Sequence, residues 1–414
     1  MNPRLGLLKP YPFTRLDALL ANSQTNPDLE LITLSIGEPK HSAPAIVLEA
    51  LQSALAEVQK YPATAGKIEL KQVIANWVNN RFELSENGLS ANSQVLPVNG
   101  TREALFAIVQ ALTDPNRTKG AVGMPNPFYQ IYEGAALLAG KTPIYFNSHS
   151  KSNMQPDWRQ ISDAEWQQME LLFICSPGNP SGTYIDLEDI CYLIEQADLH
   201  DFVIVSDECY SELYLNPSHK APSILQACKK LGRTDFSRCL AFHSLSKRSN
   251  LPGLRSGFVA GDDKLLTDFL LYRTYHGSAM PGYVQEASIQ AWQDETHAEI
   301  NRQLYRDKYQ AVLPKLADHF EFTEPEAAFY LWLDTPIDDQ EFAKRLYEEK
   351  SVKVVPGSLL ARDTEEGNPG QNKIRIALVA SVDECIEGID RLLQFTSSLS
   401  SALSSTNSSP KPDA

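Results

Sequence analysis

The sequence is poor in positive charge. Its 414 residues carry 37 Lys and Arg against 52 Asp and Glu, a formal charge of −15. Proteins that bind nucleic acids need a basic surface to displace counterions from phosphates, so we expect no nucleic-acid partner. There is no apolar run of about 18 residues either, and we expect no membrane-spanning segment. Local basic clusters still allow small anions to bind.

Metal and disulfide motifs are also missing. The six cysteines form no CxxC pair, and neither HExxH nor a His/Cys cluster with ligand spacing occurs. We therefore predict reduced, packing cysteines and no metal site. The first residues, MNPRLGLLKP, hold no apolar stretch before a small-residue cleavage site, so the expected location is the cytoplasm.

The chain is too long for a single ordinary core, which favours one large and one smaller domain. From residue 94 onward, short β-rich apolar runs alternate with helical patterns at 101–112, 128–139 and 187–199. Such runs suit strands buried on both faces, and the helices suit βαβ crossovers. We predict an α/β fold with a mostly parallel seven-stranded sheet between helices. The strands are expected at 95–98, 121–124, 143–146, 171–175, 202–206, 240–243 and 257–260.

The predicted domains are an N-terminal arm with part of the small domain at 1–41, a large domain at 42–290 and a small α+β domain at 291–395. In the small domain we expect strands near 321–323, 328–334, 352–355 and 374–378, and helices at 339–350 and 382–394. Residues 396–414 are rich in Ser and Pro with few large apolar side chains, which predicts a disordered tail.

Polar residues follow several predicted strands, at the edge where ligands bind in open α/β sheets. The loop at 99–103 opens a helix and offers backbone N–H groups to an anion, although it is also an ordinary helix start. The loop at 125–129 places aromatic rings at the edge, and the loop at 176–183 makes Asn179-Pro180 a candidate cis peptide. Asp207 leaves a buried strand and needs a partner; a protonated ring nitrogen would suit it, and so would a helix cap or an ion pair.

The segment HSLSKRSNLPGLRSG at 243–257 places Lys247 among hydroxyls, eight residues before Arg255. This arrangement offers an amine nucleophile beside a site for a phosphate-sized anion. The alternative is a solvated loop lysine, the common fate of lysines. Because Lys247 and Asp207 follow different strands at one sheet edge, we favour a shared site.

With Asn179, Asp207, Tyr210, Lys247 and Arg255 in this order, the chain resembles the fold-type I pyridoxal-phosphate enzymes, specifically the class I/II aminotransferases, from residue 30 to 395. The segment at 243–257, together with the starts MNP and PYPF and the motif GEPKHS at 37–42, is most similar to the N-succinyl-L,L-diaminopimelate aminotransferases of lysine biosynthesis. The resemblance implies pyridoxal 5'-phosphate as cofactor.

The resemblance also implies a role for each matching residue. Lys247 would form the Schiff base and transfer the proton, and Asp207 would keep the ring nitrogen protonated. Asn179 and Tyr210 would bind the ring oxygen, with Phe128 stacked on the ring. The phosphate would be held by Gly100, Thr101, Arg102, Ser244, Ser246 and Arg255, and by Tyr61 of a neighbouring subunit, which implies a homodimer with shared active sites.

On the substrate side, the resemblance assigns the α-carboxylate to Arg375, with Gly37 in a closing arm and Asn179 nearby. A surface ion pair is the alternative for Arg375. Aspartate aminotransferases have a second arginine for the distal carboxylate, whereas Arg273 here lies within a helical pattern. A longer amino acid is therefore the favoured substrate over aspartate.

The leading hypothesis is a succinyldiaminopimelate transaminase that uses 2-oxoglutarate and glutamate. The alternatives are an aminotransferase for aromatic, kynurenine-type or aspartate-type amino acids, or a β-lyase on the same scaffold. A non-catalytic regulator with this fold is the competing class, but the paired Asp207 and Lys247 argue against it.

Overall fold

The computed structural model describes residues 1–84, 88–117 and 120–407. Its strands are β1 (Ile32–Thr33), β2 (Val95–Val98), β3 (Ala121–Asn126), β4 (Thr142–His149), β5 (Gln155–Pro156), β6 (Met169–Cys175), β7 (Val203–Asp207), β8 (Cys239–Ser244), β9 (Gly257–Gly261), β10 (Tyr330–Asp334), β11 (Val352–Lys353), β12 (Val355–Pro356) and β13 (Lys373–Ala377). Its α-helices are α1 (Pro12–Leu20), α2 (Ala45–Ser53), α3 (Ile68–Arg81), α4 (Thr101–Leu112), α5 (Ile131–Ala139), α6 (Asp163–Trp166), α7 (Leu187–His200), α8 (Ile224–Lys230), α9 (Leu245–Arg248), α10 (Asp263–His276), α11 (Gly282–Gln293), α12 (Thr296–Leu316), α13 (Asp339–Lys350) and α14 (Val382–Asn407).

The large sheet is mostly parallel, as predicted. Over the described residues its strand order is β2-β9-β8-β7-β6-β3-β4-β5. The pairs β3·β4, β3·β6, β6·β7 and β7·β8 are parallel, and β2, β5 and β9 are the antiparallel members. The seven predicted strands all occur; the eighth is the two-residue β5, which is too short to leave a period-2 pattern in the sequence.

The sheet is buried on both faces because neighbouring residues of one strand enter different cores. On β8, Cys239 and Ala241 belong to one apolar cluster with α3, α7, α8 and α11, while Leu240 and Phe242 belong to another with α4, α5 and α10. This double burial explains why its strands read as continuous apolar runs. No helix in the described part of the chain is both long and apolar enough to cross a bilayer.

The chain divides into two compact units whose limits differ from the predicted domains. The larger unit is Met1–Lys9, Pro39–Gln303 and Pro325–Ala328, and the smaller is Pro10–Glu38, Leu304–Glu324 and Phe329–Ala414. Two short pieces of the larger unit, Met1–Lys9 and Pro325–Ala328, form hydrogen bonds with residues that are distant in the sequence. Arg4 Nη1 donates to Leu138 O at 3.3 Å, and the amide of Ala327 donates to Gly182 O at 2.9 Å. Such contacts leave no local trace in the sequence.

The smaller unit contains a three-stranded antiparallel sheet, β10-β13-β12, and the parallel pair β1·β11. Helix α13 begins and ends where predicted, because Asp338 caps it by accepting from the amides of Gln340 and Glu341. The strand expected at 321–323 does not form.

The prediction of a disordered tail from residue 396 was wrong up to Asn407, where α14 ends; residues 408–414 lie outside the described part. Leu392, Phe395 and Leu399 are buried on one face of this helix. The hydroxyl of Thr396 donates to Leu392 O at 2.9 Å, so hydroxyl side chains are accommodated inside the helix. The Ser-rich composition concealed an apolar face with helical spacing.

Candidate active site

Asp207 ends β7 in the middle of the large sheet. In the register of the sheet it lies between Cys175 of β6 and Phe242 of β8. Its side chain is 5% exposed; Oδ2 accepts from the hydroxyl of Tyr132 at 2.7 Å and Oδ1 accepts from the amide of Cys209 at 3.3 Å. The sheet thus presents a buried carboxylate at its carboxyl edge.

Burial raises the pKa of the Asp207 carboxyl above its usual value, and hydrogen bonds from Cys209 and Tyr132, with His243 nearby, only partly oppose that rise. Burial also raises the pKa of the Cys175 thiol to about 12, with the negative charge of Asp207 adding to the effect. A charge that is costly to bury is stabilised by a cationic partner. The site therefore favours a positively charged group of a ligand beside Asp207.

Lys247 lies in α9, directly after β8. Ser244 caps this short helix, since its Oγ accepts from the amide of Ser246 at 3.1 Å. The lysine is half-buried, and its Nζ is 5.7 Å from the centre of the Tyr210 ring, which follows β7. The structure thus brings Lys247 to the loop that begins at Asp207.

Gly100 and Arg255 meet at the start of α4. Gly100 is the N-cap of this helix with a φ of 80°, and a Cβ built on it would overlap the Arg255 guanidinium. Arg255 Nη1 donates to Pro252 O at 2.9 Å and Nη2 to Asn99 O at 3.4 Å. A guanidinium lying against the N-terminus of a 12-residue helix, whose first N–H groups lack intrahelical partners, forms an anion site.

The other residues predicted to bind phosphate lie near the same strand ends. Thr101 Oγ1 is 3.1 Å from Cys209 Sγ, and Ser244 Oγ donates to Ser246 Oγ at 2.9 Å. Arg102 is exposed, and its Nε donates to Tyr129 OH at 2.7 Å.

The aromatic and amide groups of the predicted site lie on the loops after β3 and β6. Phe128 is buried and stacks on Tyr145 with ring centres 5.4 Å apart. Asn179 is half-buried in a loop closed by the amide of Gly178, which donates to Thr183 O at 2.7 Å. The Asn179-Pro180 bond is cis, as proposed from the sequence.

The other three predicted site residues belong to segments outside the large sheet. Tyr61 is fully exposed on the larger unit. Arg375 and Gly37 belong to the smaller unit, where Arg375 Nη2 donates to Ser35 O at 3.0 Å and its guanidinium lies 4.6 Å from the centre of the Tyr330 ring. A Cβ on Gly37 would overlap the Tyr330 hydroxyl, so only glycine allows this close approach.

Sequence reasoning missed Tyr132, the direct hydrogen-bond donor to Asp207. Its ring stacks on Phe173 with centres 4.3 Å apart and is fully buried. The available signal was an aromatic residue four positions after Phe128, at the start of α5. Arg273, considered for a distal carboxylate, is instead buried within α10, bound to Glu103 and to Ser278 O at 2.8 Å.

The residues fit a pyridoxal-phosphate site, because a pyridinium nitrogen would satisfy buried Asp207 and a phosphate would suit the cradle of Gly100 and Arg255. A lysine, a buried acid and an anion cradle at one edge of such a sheet define a pyridoxal-phosphate enzyme of fold type I.

Comparison with known proteins agrees. Residues 30–394 match the family model described as "Aminotransferase class I and II". An LL-diaminopimelate aminotransferase from Aquifex aeolicus is 30% identical over 94% of this chain and 97% of its own length. An aminotransferase from Neisseria meningitidis, of known crystal structure, is 48% identical over 96% of this chain and 100% of that chain, with a TM-score of 0.92. Aminotransferase AspB from Helicobacter pylori is 32% identical over 94% and 99%, with a TM-score of 0.87.

The chain therefore belongs to the class I and II aminotransferases, and it is a pyridoxal-phosphate-dependent enzyme acting on amino acids and 2-oxo acids.

Proposed function

We propose that this aminotransferase acts in lysine and diaminopimelate biosynthesis. Its reaction converts N-succinyl-L,L-2,6-diaminopimelate and 2-oxoglutarate to N-succinyl-2-amino-6-oxopimelate and glutamate. The observation that carries the catalytic part is the placement of buried Asp207 at the end of β7 and of Lys247 in α9, directly after the neighbouring parallel strand β8. Support for the substrate comes from the segment at 243–257 and from relatives named as diaminopimelate aminotransferases.

The proposed chemistry divides between the cofactor and the chain. Pyridoxal phosphate, when bound, supplies an electron sink for the negative charge that develops at the substrate Cα. Asp207 would bind the protonated ring nitrogen, and Lys247 Nζ would take the Cα proton and return it to the cofactor carbon. That transfer requires the neutral amine. Asn179 and Tyr210 would donate to the ring oxygen, and Phe128 would pack on the ring face.

Phosphate binding is proposed for the cradle formed at the ends of β2 and β8. Arg255 supplies the positive charge, and the amides of Thr101 and Arg102 would face an anion at the start of α4. Gly100, whose own amide donates to Val98 O at 2.8 Å, allows the close approach of that anion. The hydroxyls of Ser244 and Ser246 would complete the phosphate site predicted from the sequence.

For substrate binding we propose Arg375, whose planar guanidinium suits a bidentate carboxylate. Tyr330, which packs on Arg375 and against Gly37, would hold the guanidinium in one orientation. Because Gly37 has no side chain, the closing arm would approach the substrate α-carboxylate closely. Asn179 would contact the same carboxylate. Replacement of Arg375 by Lys should raise KM for every amino donor while leaving cofactor affinity unchanged.

A homodimer with shared sites is proposed from Tyr61. This side chain is fully exposed, and Leu55 and Val58, just before it in the sequence, are also exposed. A second copy of the chain would cover these apolar groups and bring Tyr61 to the partner's phosphate. If so, mixing Lys247→Ala protein with Tyr61→Phe protein should form heterodimers with one intact site, and activity should rise above that of either parent.

The substrate needs a direct test. Relatives named LL-diaminopimelate aminotransferases favour a second candidate, unsuccinylated L,L-diaminopimelate. Aspartate is less favoured because Arg273 is buried and already bound to Glu103. Steady-state kinetics should compare succinylated and free L,L-diaminopimelate, N-acetylornithine, aspartate, kynurenine and an aromatic amino acid, with pyruvate release from cystathionine as the test for β-lyase activity. A higher kcat/KM for free than for succinylated diaminopimelate would overturn the proposed substrate.

The catalytic assignment has its own test. Purified protein should be yellow, and borohydride should bleach it by fixing the cofactor to Lys247. Lys247→Ala should fold normally and lose turnover; near-normal transamination by this variant would refute the assignment. The cytoplasmic location stays a prediction.

A further inference from the structure

Asn301, which no sequence motif marks, holds the main chain of Lys247. It lies on α12, is 5% exposed, and its Nδ2 donates to Lys247 O at 3.0 Å and to Arg248 O at 3.1 Å. The last carbonyls of a helix lack intrahelical partners, and α9 has only four residues. So short a helix gains little from its own hydrogen bonds, and external partners must define its end.

His41 fixes the orientation of that amide. Its Nδ1 is 2.8 Å from Asn301 Oδ1. Because the two carbonyls can only accept, the amide nitrogen must face them and the amide oxygen must face His41. His41 Nδ1 must therefore carry a hydrogen. The result is a directed chain of hydrogen bonds from His41 through Asn301 to the carbonyl of Lys247.

The end of α11 and the start of α12 form further hydrogen bonds with the residues just after Lys247. His297, one turn before Asn301, has its Nε2 2.8 Å from Ser249 Oγ and its Nδ1 2.6 Å from Asp294 Oδ2. Arg248 Nη1 donates to Ala291 O at 2.8 Å. These contacts anchor the residues after Lys247, whereas the hydrogen bond from Asn301 is to the carbonyl of Lys247 itself.

We propose that Asn301 is a positioning residue for Lys247 and that His41 keeps its amide in the working orientation. This inference rests on the proposed role of Lys247 in amino-group transfer. The amine of a lysine reaches its target through a flexible four-carbon stem, so its location depends on where the Cα is held. A displacement of about 1 Å between reacting groups costs about a hundredfold in rate. By holding the main chain of Lys247, Asn301 would limit such a displacement without itself contacting the substrate.

The test uses the full-length holoenzyme with Asn301→Leu, which keeps the size of the side chain and removes its hydrogen bonds. We expect kcat to fall by about tenfold to a hundredfold with KM changed less than about threefold. Borohydride fixation should be slower, and the pH midpoint of the visible absorbance of the lysine-bound cofactor should shift. These two readouts need no amino-acid substrate, so they remain informative even if the proposed substrate is wrong.

The matched control is Asn79→Leu. Asn79 also bridges main-chain groups of a distant segment, accepting from the amide of Leu89 at 2.8 Å and donating to Leu89 O at 3.4 Å. It should lower thermal stability without changing the absorbance midpoint. His41→Ala provides a milder break in the same chain of hydrogen bonds, and His41→Asn, which restores a donor, should recover most of the loss. If Asn301→Leu fails to fold, His41→Ala still tests the proposal.

Two results would overturn the proposal. One is an Asn301→Leu protein that loses stability like Asn79→Leu but keeps the wild-type kcat, fixation rate and midpoint. The other is a His41→Ala protein with wild-type values of all three. A wild type that is colourless and is not fixed by borohydride would refute the proposed function itself.

Discussion

Replacing Asp207 by Asn should change the apo-protein and the cofactor-loaded protein in different ways. The carboxyl is almost fully buried, and burial raises its pKa. A raised pKa in the folded state means that the folded protein binds more protons than the unfolded one between the two pKa values. The contribution of this group to stability is therefore complete below the unfolded pKa, about 3.9, and is lost as the pH rises through the folded pKa.

This linkage predicts opposite effects of the substitution on the apo-protein and the cofactor-loaded protein. At pH 8 the apo-protein bears the cost of a buried charge, which Asp207→Asn removes while keeping an acceptor for the Cys209 amide. We expect the apo-variant to be as stable as the wild type or more stable, with the difference shrinking toward pH 4. In the loaded protein, removing one member of a buried ion pair costs about 3–5 kcal/mol. Cofactor affinity should then fall by roughly a hundredfold to several thousandfold.

Thermal unfolding of both forms from pH 4 to 8, with cofactor titration followed by absorbance, measures these effects. The matched control is Asp339→Asn in the smaller unit, where burial also raises the carboxyl pKa and the side chain accepts from the amides of Ser358 and Asn372. That control should alter stability and leave cofactor affinity unchanged. If Asp207→Asn binds the cofactor as tightly as the wild type, Asp207 is not the partner of the ring nitrogen.

Three further substitutions test the surroundings of the site. Gly100→Ala places a Cβ against Arg255 at a φ of 80° and a ψ of 153°, a backbone conformation that essentially only glycine adopts, and the strain costs about 1–3 kcal/mol. Cofactor affinity should therefore fall with the melting temperature, and an unchanged affinity would argue against the cradle. Tyr132→Phe removes a hydrogen bond to Asp207 worth about 1.5–3 kcal/mol, so titration should show cofactor binding weakened by about tenfold to a hundredfold. An unchanged value would make Tyr132 a packing residue only. Burial opposes ionisation of Glu212, but three nearby guanidiniums outweigh it and hold its pKa below the usual value. Glu212→Gln should therefore cost about 3–5 kcal/mol at pH 7, and urea unfolding should show the loss shrinking as the pH falls through the folded pKa; a pH-independent loss would contradict this.

Local patterns were sufficient for most of the large sheet. Strands such as β6 and β8 are buried on both faces, so their sequences are continuous apolar runs that stand out from the flanking helices. Helix α13 could also be predicted from its local sequence, because Asp338 is its N-cap. Patterns failed where a segment depends on distant partners, as with β5, or where composition and periodicity disagreed, as in the last turns of α14.

For the site, the sequence by itself determined which residues adjoin the strands at one edge. Asp207, Lys247 and Asn179 lie at or after the ends of β7, β8 and β6, and Arg255 precedes the antiparallel β9. A parallel sheet places successive strand ends together, so chain order already implied their proximity. Only the tertiary structure decided what surrounds them. Tyr132 meets Asp207 across 75 residues and His41 meets Asn301 across 260, and nothing local requires either contact. Hydrogen bonds of this kind depend on how helices pack against the sheet, which is a property of the whole chain.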